Sequence, residues 1–545
     1  MQSWTQSTAL SAHGRQGRQA WFPGEILPAL LVLALALGVV LVRPPLPIDE
    51  TRYLEVFRES LSGSPLLLRL LGEPYAEKTP LLFWIGRALT WLSIPPEVAL
   101  RLVPALASAL TVFVVARLGS RAGLALAGWV QAALLLPSLA GQFLLFDPLL
   151  ALVVWCAIDA WVRRHDVAFA AWSAGALLAK GPVAFLFLIP FLWSMRPLRG
   201  ARAGDGARVA LALGLALVPL AAWALAAAAR GGPEFADALL WERWAGRLGQ
   251  RADHPRALYF YLPVALLGAL PGTLLLFRRS TRSDPGRPGR PGRDVPPDWI
   301  RRLAWTLGFV LVAFTLIRGK QAHYLVPAAP ALALWLAWRM ERDPRALPLL
   351  RAGARIQLAL LLGLAVACVL LIPHKEESFG ARGRELVASG GAWLPLGLAG
   401  AAALAGLLAS FRPRLSARAV LALSVASTGA SLLSIHRLAG QLLYPHVLAE
   451  ALATDPAVPI AFLGSSHHGI YALLASRDDL EKIASEDELE AWCRGVPGGL
   501  LLIDSGDLPA VLPAGLERVA SDVVHQSEVE VWRITDGARG TRVPP

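Results

Sequence analysis

Apolar runs alternate with short polar clusters along most of the chain. A run that crosses a bilayer as helix needs about 20 apolar residues, fewer or more with tilt. Such runs lie near 25–43, 98–116, 122–141, 145–162, 168–180, 182–195, 208–229, 258–277, 302–317, 324–339, 356–373, 391–411 and 418–436. The pattern predicts a mainly α, polytopic membrane protein with about 13 transmembrane helices. The runs at 168–180 and 182–195 are short and read as two tilted helices or one helical hairpin. Between the first two runs, Tyr53, Leu54, Phe57 and Leu61 recur at helical spacing. This predicts a helix lying on the membrane surface within an outer loop at 50–97, with 79–94 as a second. From about residue 440 the pattern changes. Residues 460–464, 500–504 and 529–534 read as strands and 487–493 as helix. Strands alternating with helix predict a small α/β domain at 440–545.

Composition and charge agree with that picture. Of 545 residues, 55% are hydrophobic and 17% charged, too apolar for an ordinary soluble protein. A net charge of +12 in a soluble chain would point to nucleic acid, but here the arginines occupy alternate loops of an apolar chain. With residues 1–24 placed in the cytoplasm, the same side holds Arg117, Arg121, Arg163, Arg164, Arg196, Arg199, Arg202, Arg208, the basic linker 278–301, and the 339–355 and 412–418 stretches. The opposite side holds Asp49, Glu50, Glu55, Glu59, Glu73, Glu77, Glu234, Asp237, Glu376 and Glu377. This is a positive-inside distribution, and an odd number of spans leaves the tail outside. All five lysines (Lys78, Lys180, Lys320, Lys375, Lys482) fall on the outer side, so lysine is not the general topology charge. The 281–296 repeat of Arg, Pro and Gly reads as a disordered linker near headgroups. The first apolar run lacks a small-residue cleavage site and reads as an uncleaved span. Cys156, Cys368 and Cys493 show neither metal-ligand spacing nor a disulfide framework.

Ionisable groups at the edge of apolar runs are costly and mark function. Asp49-Glu50-Thr51-Arg52-Tyr53, Glu77-Lys78, Phe146-Asp147-Pro148, Ala179-Lys180-Gly181 and Arg318-Gly319-Lys320-Gln321-Ala322-His323-Tyr324 all meet the outer face. Cations suit an anionic phosphate leaving group. Carboxylates suit a general base or a partner for a positively charged sugar. A phenol such as Tyr324 donates to a phosphate oxygen. Together they fit sugar transfer from a lipid phosphate. A transporter or flippase of lipid-linked substrates is the alternative. It would bury similar groups, but with repeated halves and polar residues through the membrane's depth, and the chain shows no internal repeat.

These motifs, in this order and with Thr79-Pro80-Leu81-Leu82-Phe83-Trp84 after Lys78 and Pro327 after Tyr324, resemble the bacterial aminoarabinose transferase and protein mannosyltransferase superfamily. These are polytopic glycosyltransferases of the GT-C fold. The resemblance runs over nearly the whole chain, including Arg477-Asp478-Asp479-Leu480 in the tail. It implies a polyprenyl-phosphate (undecaprenyl-phosphate-type) sugar donor and transfer of a hexosyl or pentosyl group on the periplasmic face of the inner membrane. The acceptor would be lipid A, another glycan or lipid, or a protein; no nucleic acid is involved. No cofactor is required, and a divalent metal stays open. Carried over, Asp49 and Asp147 are the candidate catalytic carboxylates. Lys78, Tyr53 and Tyr324 are candidate donor-phosphate ligands, with Lys320, Lys180 and Arg256 beside them. Arg52 and Glu77 in the outer loop 50–97, His254 in the outer loop 230–257, and Tyr259 and Tyr261 just after it are supporting residues. Two positions depart from the pattern. Thr79 stands where many relatives carry a second proline. Trp244 stands where aminoarabinose transferases tend to carry histidine, which weighs against a zinc site and leaves the sugar open.

Simpler readings exist for single residues. Asp147 could cap its helix, with Pro148 at the first helical position. Glu50 reads as a surface acid near a helix start. Arg52 could form a surface bridge to Glu55 or Glu77. His323 reads as an interfacial side chain, and His467 and His468 as solvated.

Overall fold

The long apolar runs before residue 440 form helix, with interruptions at Gly181-Pro182 and around Pro271-Gly272. In the computed structural model the described residues are 23–46, 49–200, 202–239, 255–278, 297–343, 345–453, 457–463, 480–483, 485–505, 508–509, 512–524 and 527–535. The first apolar run is α1 (Pro23–Val42) and the polar segment after it is α2 (Asp49–Ser62), whose first turn carries Asp49 and Glu50 where the helix dipole favours acids. A short hairpin, β1 (Arg69–Leu70) and β2 (Glu73–Pro74), leads to α3 (Leu81–Thr90) and α4 (Pro96–Arg121). The 122–141 run is split into α5 (Ala127–Ala133) and α6 (Leu135–Ala140) by extended backbone at Leu134. Then come α7 (Phe146–Val162), α8 (Asp166–Lys180), α9 (Phe185–Arg199) and α10 (Asp205–Gly231). Later helices cover Tyr261–Gly268, Asp298–Leu316, Ala329–Arg342, Ala346–Leu371, Trp393–Ala409 and Ala417–Leu443.

The hairpin reading is right for α8 and α9. Arg199, at the end of α9, lies 3.3 Å from Asp166 at the start of α8, and Arg164 donates to the Arg199 carbonyl at 2.8 Å. The two helices therefore fold back at Gly181, where φ is +67° and ψ is −157°. That combination is open essentially to glycine alone. Lys180 sits at the tip.

By length and composition, six helical stretches among the described residues are long and apolar enough to cross a membrane, or up to seven if the bent pair Ala381–Ala388 and Trp393–Ala409 is one span. One of the six is the folded-back 166–199 stretch. This measure does not establish the expected count of about 13, because the other apolar segments form shorter or broken helices such as Leu258–Gly268.

Charge is sorted to the two ends of the bundle. At one end Asp159, fully buried, meets Arg117, Arg121 at 3.6 Å and Arg163 at 2.8 Å, while Glu341 accepts from the Leu126 amide at 2.7 Å. At the other end lie the Arg43–Glu50 and Lys180–Asp147 pairs. The twelve helical steps of α7 from Asp147 to Asp159 put about 18 Å between these ends. The packed core between them is aliphatic and aromatic, with Trp155, Phe187 and Phe191 buried.

Two expectations are corrected. The stripe of α2 is not laid on lipid: Tyr53, Leu54, Val56 and Phe57 are buried against the rest of the chain. The last bundle helix runs to Leu443, so the bundle ends a turn beyond the expected boundary at 439.

The tail forms a five-stranded mixed sheet in the order β4-β3-β5-β7-β6: β3 (Ile460–Leu463), β4 (Leu480–Ile483), β5 (Leu500–Asp504), β6 (Leu516–Val524) and β7 (Ser527–Ile534). β3 pairs parallel with β4 and β5, and β7 pairs antiparallel with β5 and β6. One face packs on Leu448 and Leu452, the other on Leu489, Trp492 and Cys493 of the Glu486–Gly495 helix, so the central β5 is buried throughout. The Asp522 carboxylate, at the edge, accepts from the Val447 amide at 3.0 Å and ties the sheet to the His446–Ala453 helix.

Candidate active site

Five segments bring the predicted residues to one end of the bundle. α2 carries Asp49, Arg52 and Tyr53; the turn after β2 carries Tyr75, Glu77 and Lys78; α7 opens with Asp147; the α8–α9 tip presents Lys180; and the turn Ala322–Ala328 carries His323 and Tyr324.

Asp147 is the most enclosed. It does not cap α7: Leu145 holds the cap position, with no side-chain cap bond. Its Oδ1 accepts from Lys180 Nζ at 2.6 Å, and its Oδ2 lies 3.5 Å from His323 Nε2. Its side chain is 3% exposed. Lys180 Nζ also stands 4.4 Å from the centre of the Tyr324 ring. Lys78 Nζ lies 5.3 Å from the centre of the Tyr53 ring and 6.0 Å from that of Phe146, the residue before Asp147. Tyr53 and Phe146 meet edge to face at 5.3 Å, so Lys78 stands beside an aromatic pair that leads to Asp147.

Asp49 is more open, its side chain 48% exposed. Its carboxylate takes a hydrogen bond from Arg52, which also lies 3.8 Å from Glu77. Glu77 in turn accepts from the Tyr75 hydroxyl at 3.0 Å. Arg52 therefore joins Asp49 and Glu77; the alternative partner Glu55 is engaged by Arg58 instead.

The electrostatics follow from this enclosure. Burial pushes the Tyr53 phenol well above its usual range, and the charge of Asp49 adds to the effect, so the hydroxyl stays a donor. Burial lowers the pKa of His323, and the nearby Lys180 and Lys78 lower it further, against the pull of Asp147 and Asp49. The imidazole is therefore neutral near pH 7.

Other expected residues fall elsewhere. Lys320 is buried, and its Nζ donates to the Arg256 carbonyl at 3.3 Å, beside a bridge between Pro255 and Gly319. Here it ties two loops together. The Arg256 side chain is exposed and lies 6.0 Å from the centre of the Phe260 ring. Tyr259 is exposed, whereas Tyr261 is buried and donates to the Gln321 carbonyl at 3.2 Å. His254, Trp244, His467 and His468 lie outside the described residues. Glu50 is not a surface acid: it is buried and paired with Arg43. Sequence reasoning missed Tyr75 and the proximity of His323 to Asp147. Among the described residues, no three His, Cys, Asp or Glu side chains are grouped to hold a metal ion.

No family model matches the chain. It is 31% identical over 313 residues to the undecaprenyl phosphate-alpha-4-amino-4-deoxy-L-arabinose arabinosyl transferase 1 of Sodalis glossinidius, covering 53% of this chain and 54% of that one. It is 28% identical over 379 residues to the like-named transferase of Pectobacterium carotovorum, covering 64% and 65%. The chain thus spans only part, about half in the first case, of the length of the curated relatives it matches. In three dimensions it matches ArnT from Cupriavidus metallidurans in the apo state with a TM-score of 0.71 at 19% identity, over 95% of this chain and 99% of that one. The fold is that of ArnT. The same protein bound to undecaprenyl phosphate gives 0.70 at 20% identity. The match to ArnT covers bundle and tail together, and it bears out the expected mainly helical, polytopic architecture with a C-terminal α/β domain. With its apolar spans, the ArnT-like chain is a multi-pass membrane protein.

Proposed function

We propose that the chain is an integral-membrane glycosyltransferase. It moves a sugar from an undecaprenyl-phosphate-type donor to an envelope acceptor, with its site on the periplasmic face of the inner membrane and the tail after Leu443 in the periplasm. The observation that carries this reading is the close placing of Asp147, Lys180, His323 and Lys78 at one end of the bundle, with Asp49 nearby. Two cations and two carboxylates at a lipid-facing edge match the needs of a displacement at a sugar carbon that leaves a lipid phosphate behind.

In that reaction the bond from sugar C1 to the donor phosphate oxygen breaks and a bond from C1 to the acceptor oxygen forms. Lys78, with Tyr53 beside it, neutralises the charge that gathers on the departing phosphate. Asp49 is the more accessible carboxylate. It takes the proton of a hydroxyl acceptor, or, where the acceptor is an already ionised phosphate, stabilises positive charge on the sugar. Asp147, clamped by Lys180, orients that cation and keeps the site neutral when empty. The relatives' names support aminoarabinose as the sugar, and of the three acceptors that the sequence resemblance implies, lipid A is the one proposed.

The test uses the purified full chain in lipid nanodiscs with an undecaprenyl-phosphate-linked aminoarabinose donor and lipid A. Mass spectrometry should detect sugar on the acceptor, and Asp49→Asn and Asp147→Asn should each reduce it sharply. Transbilayer movement of the donor in vesicles without any transfer would favour a flippase and overturn the proposal.

A further inference from the structure

Glu50 follows Asp49 directly, yet its carboxylate faces into the protein, 6% exposed, and meets an Arg43 side chain with no exposure at all. Its two oxygens accept four hydrogen bonds from three parts of the chain. Oε2 accepts from Arg43 Nη1 at 2.6 Å and from the Leu46 amide at 2.7 Å. Oε1 accepts from Arg43 Nη2 at 2.9 Å and from the Leu144 amide at 2.9 Å. Arg43 also donates to the Gln142 carbonyl at 3.2 Å, and Arg101 donates to the Arg43 carbonyl at 2.7 Å. Burial by itself would raise the Glu50 carboxyl, but the hydrogen bonds and charge of Arg43, the charge of Arg101 and the Leu46 amide together hold it below its usual range, so it stays ionised.

The two segments this carboxylate joins are those that carry the candidate reacting groups. Asp49 is its neighbour in the first turn of α2. Leu144 lies three residues before Asp147, in the turn that aims the start of α7. A buried ion pair is a poor way to gain stability, since apolar residues of similar volume often do as well or better. Its value lies in fixing direction: four bonds to one small group hold two segments that are 94 residues apart in the chain.

We infer that Glu50 is a positioning residue that sets Asp49 and Asp147 at a fixed separation across the site. The inference rests on the transfer reaction proposed above for its kinetic consequence, but not for its structural one. Glu50 itself touches no substrate.

Glu50→Asp keeps the charge but shortens the reach, so it retains Arg43 and releases the Leu144 amide. Two measurements on the purified full chain test the idea. In the first, amide hydrogen exchange across residues 141–147 should speed up in Glu50→Asp, while exchange in the tail sheet stays as in the wild type. In the second, kcat should fall by about tenfold or more while the donor KM stays within about twofold, the pattern of an interaction realised in the transition state. The same substitution on an Asp147→Asn background should cause much less than that tenfold loss, because one of the two carboxylates whose separation it sets is already gone. A raised donor KM with unchanged kcat, or a rate loss that matches the fraction of unfolded protein, would overturn the inference. So would unchanged exchange at 141–147. If the wild type transfers no sugar while the exchange still shifts, the proposed reaction fails and the strut stands.

Discussion

Lys180 Nζ lies 2.6 Å from Asp147 Oδ1, joining the tip of one helical hairpin to the first turn of the helix beside it. The pair is almost closed to solvent on the Asp147 side, so each charge depends on the other. Lys180→Met and Asp147→Asn should each cut kcat/KM sharply, and the double variant should be no worse than the poorer single one. The coupling energy of the cycle should be about 1–3 kcal/mol, and additive losses would show that the two act separately.

Lys78 meets the site through the faces of Tyr53 and Phe146. If it neutralises the leaving phosphate, Lys78→Ala should fold normally and lose turnover by a factor on the order of hundreds, equivalent to several kcal/mol of transition-state stabilisation. Single-turnover assays with a defined lipid-phosphate donor measure this. A variant within a factor of a few of wild type would remove Lys78 from the mechanism.

Gly181 occupies backbone space that other residues avoid. Gly181→Ala should lower stability by about 1–3 kcal/mol, seen as a reduced melting temperature in detergent. Because the tip carries Lys180, the remaining folded protein should also turn over more slowly. Loss of stability with full activity per folded molecule would separate the turn from the site.

His323 is held neutral, with its pKa below the ordinary 6.5. A group whose folded pKa is depressed binds fewer protons folded than unfolded, so it contributes stability above the unfolded pKa that is lost as pH falls. Between about pH 7 and pH 5 the wild type should therefore lose melting temperature faster than His323→Gln, which has no such proton to take up. Parallel melting curves for the two proteins over that range would mean that His323 is not held neutral.

Much of the bundle was legible because apolar runs report helices directly, and because charged residues collect between those runs. The outer clusters at Asp49, Lys78, Asp147 and Lys180 were legible for the same reason: charges beside apolar runs stand out. The burial of Glu50 was not legible. An acid at a helix start looks solvent-exposed until Arg43 and the Leu144 amide are known to surround it, and the second of these is 94 residues away. His323 lies 176 positions from Asp147, so no local pattern ties them. In the tail, β4 has four residues, two of them charged, and β6 mixes acid, base and apolar residues around a bulge at Arg518–Ala520. Neither shows the alternation that marked β7.

The ring of Arg117, Arg121 and Arg163 about Asp159 bears on how the chain is made. α4 leaves the ribosome before α7, so two of these guanidinium groups reach the membrane before their shared acid exists. On the proposed topology, which puts this end in the cytoplasm, they serve first as anchors that keep that end of α4 from translocating. Only when α7 follows does Asp159 capture them and lock the two helices side by side in register. A chain with Asp159→Ala should still insert in the right orientation, yet assemble its bundle late, lingering as a protease-sensitive intermediate during synthesis.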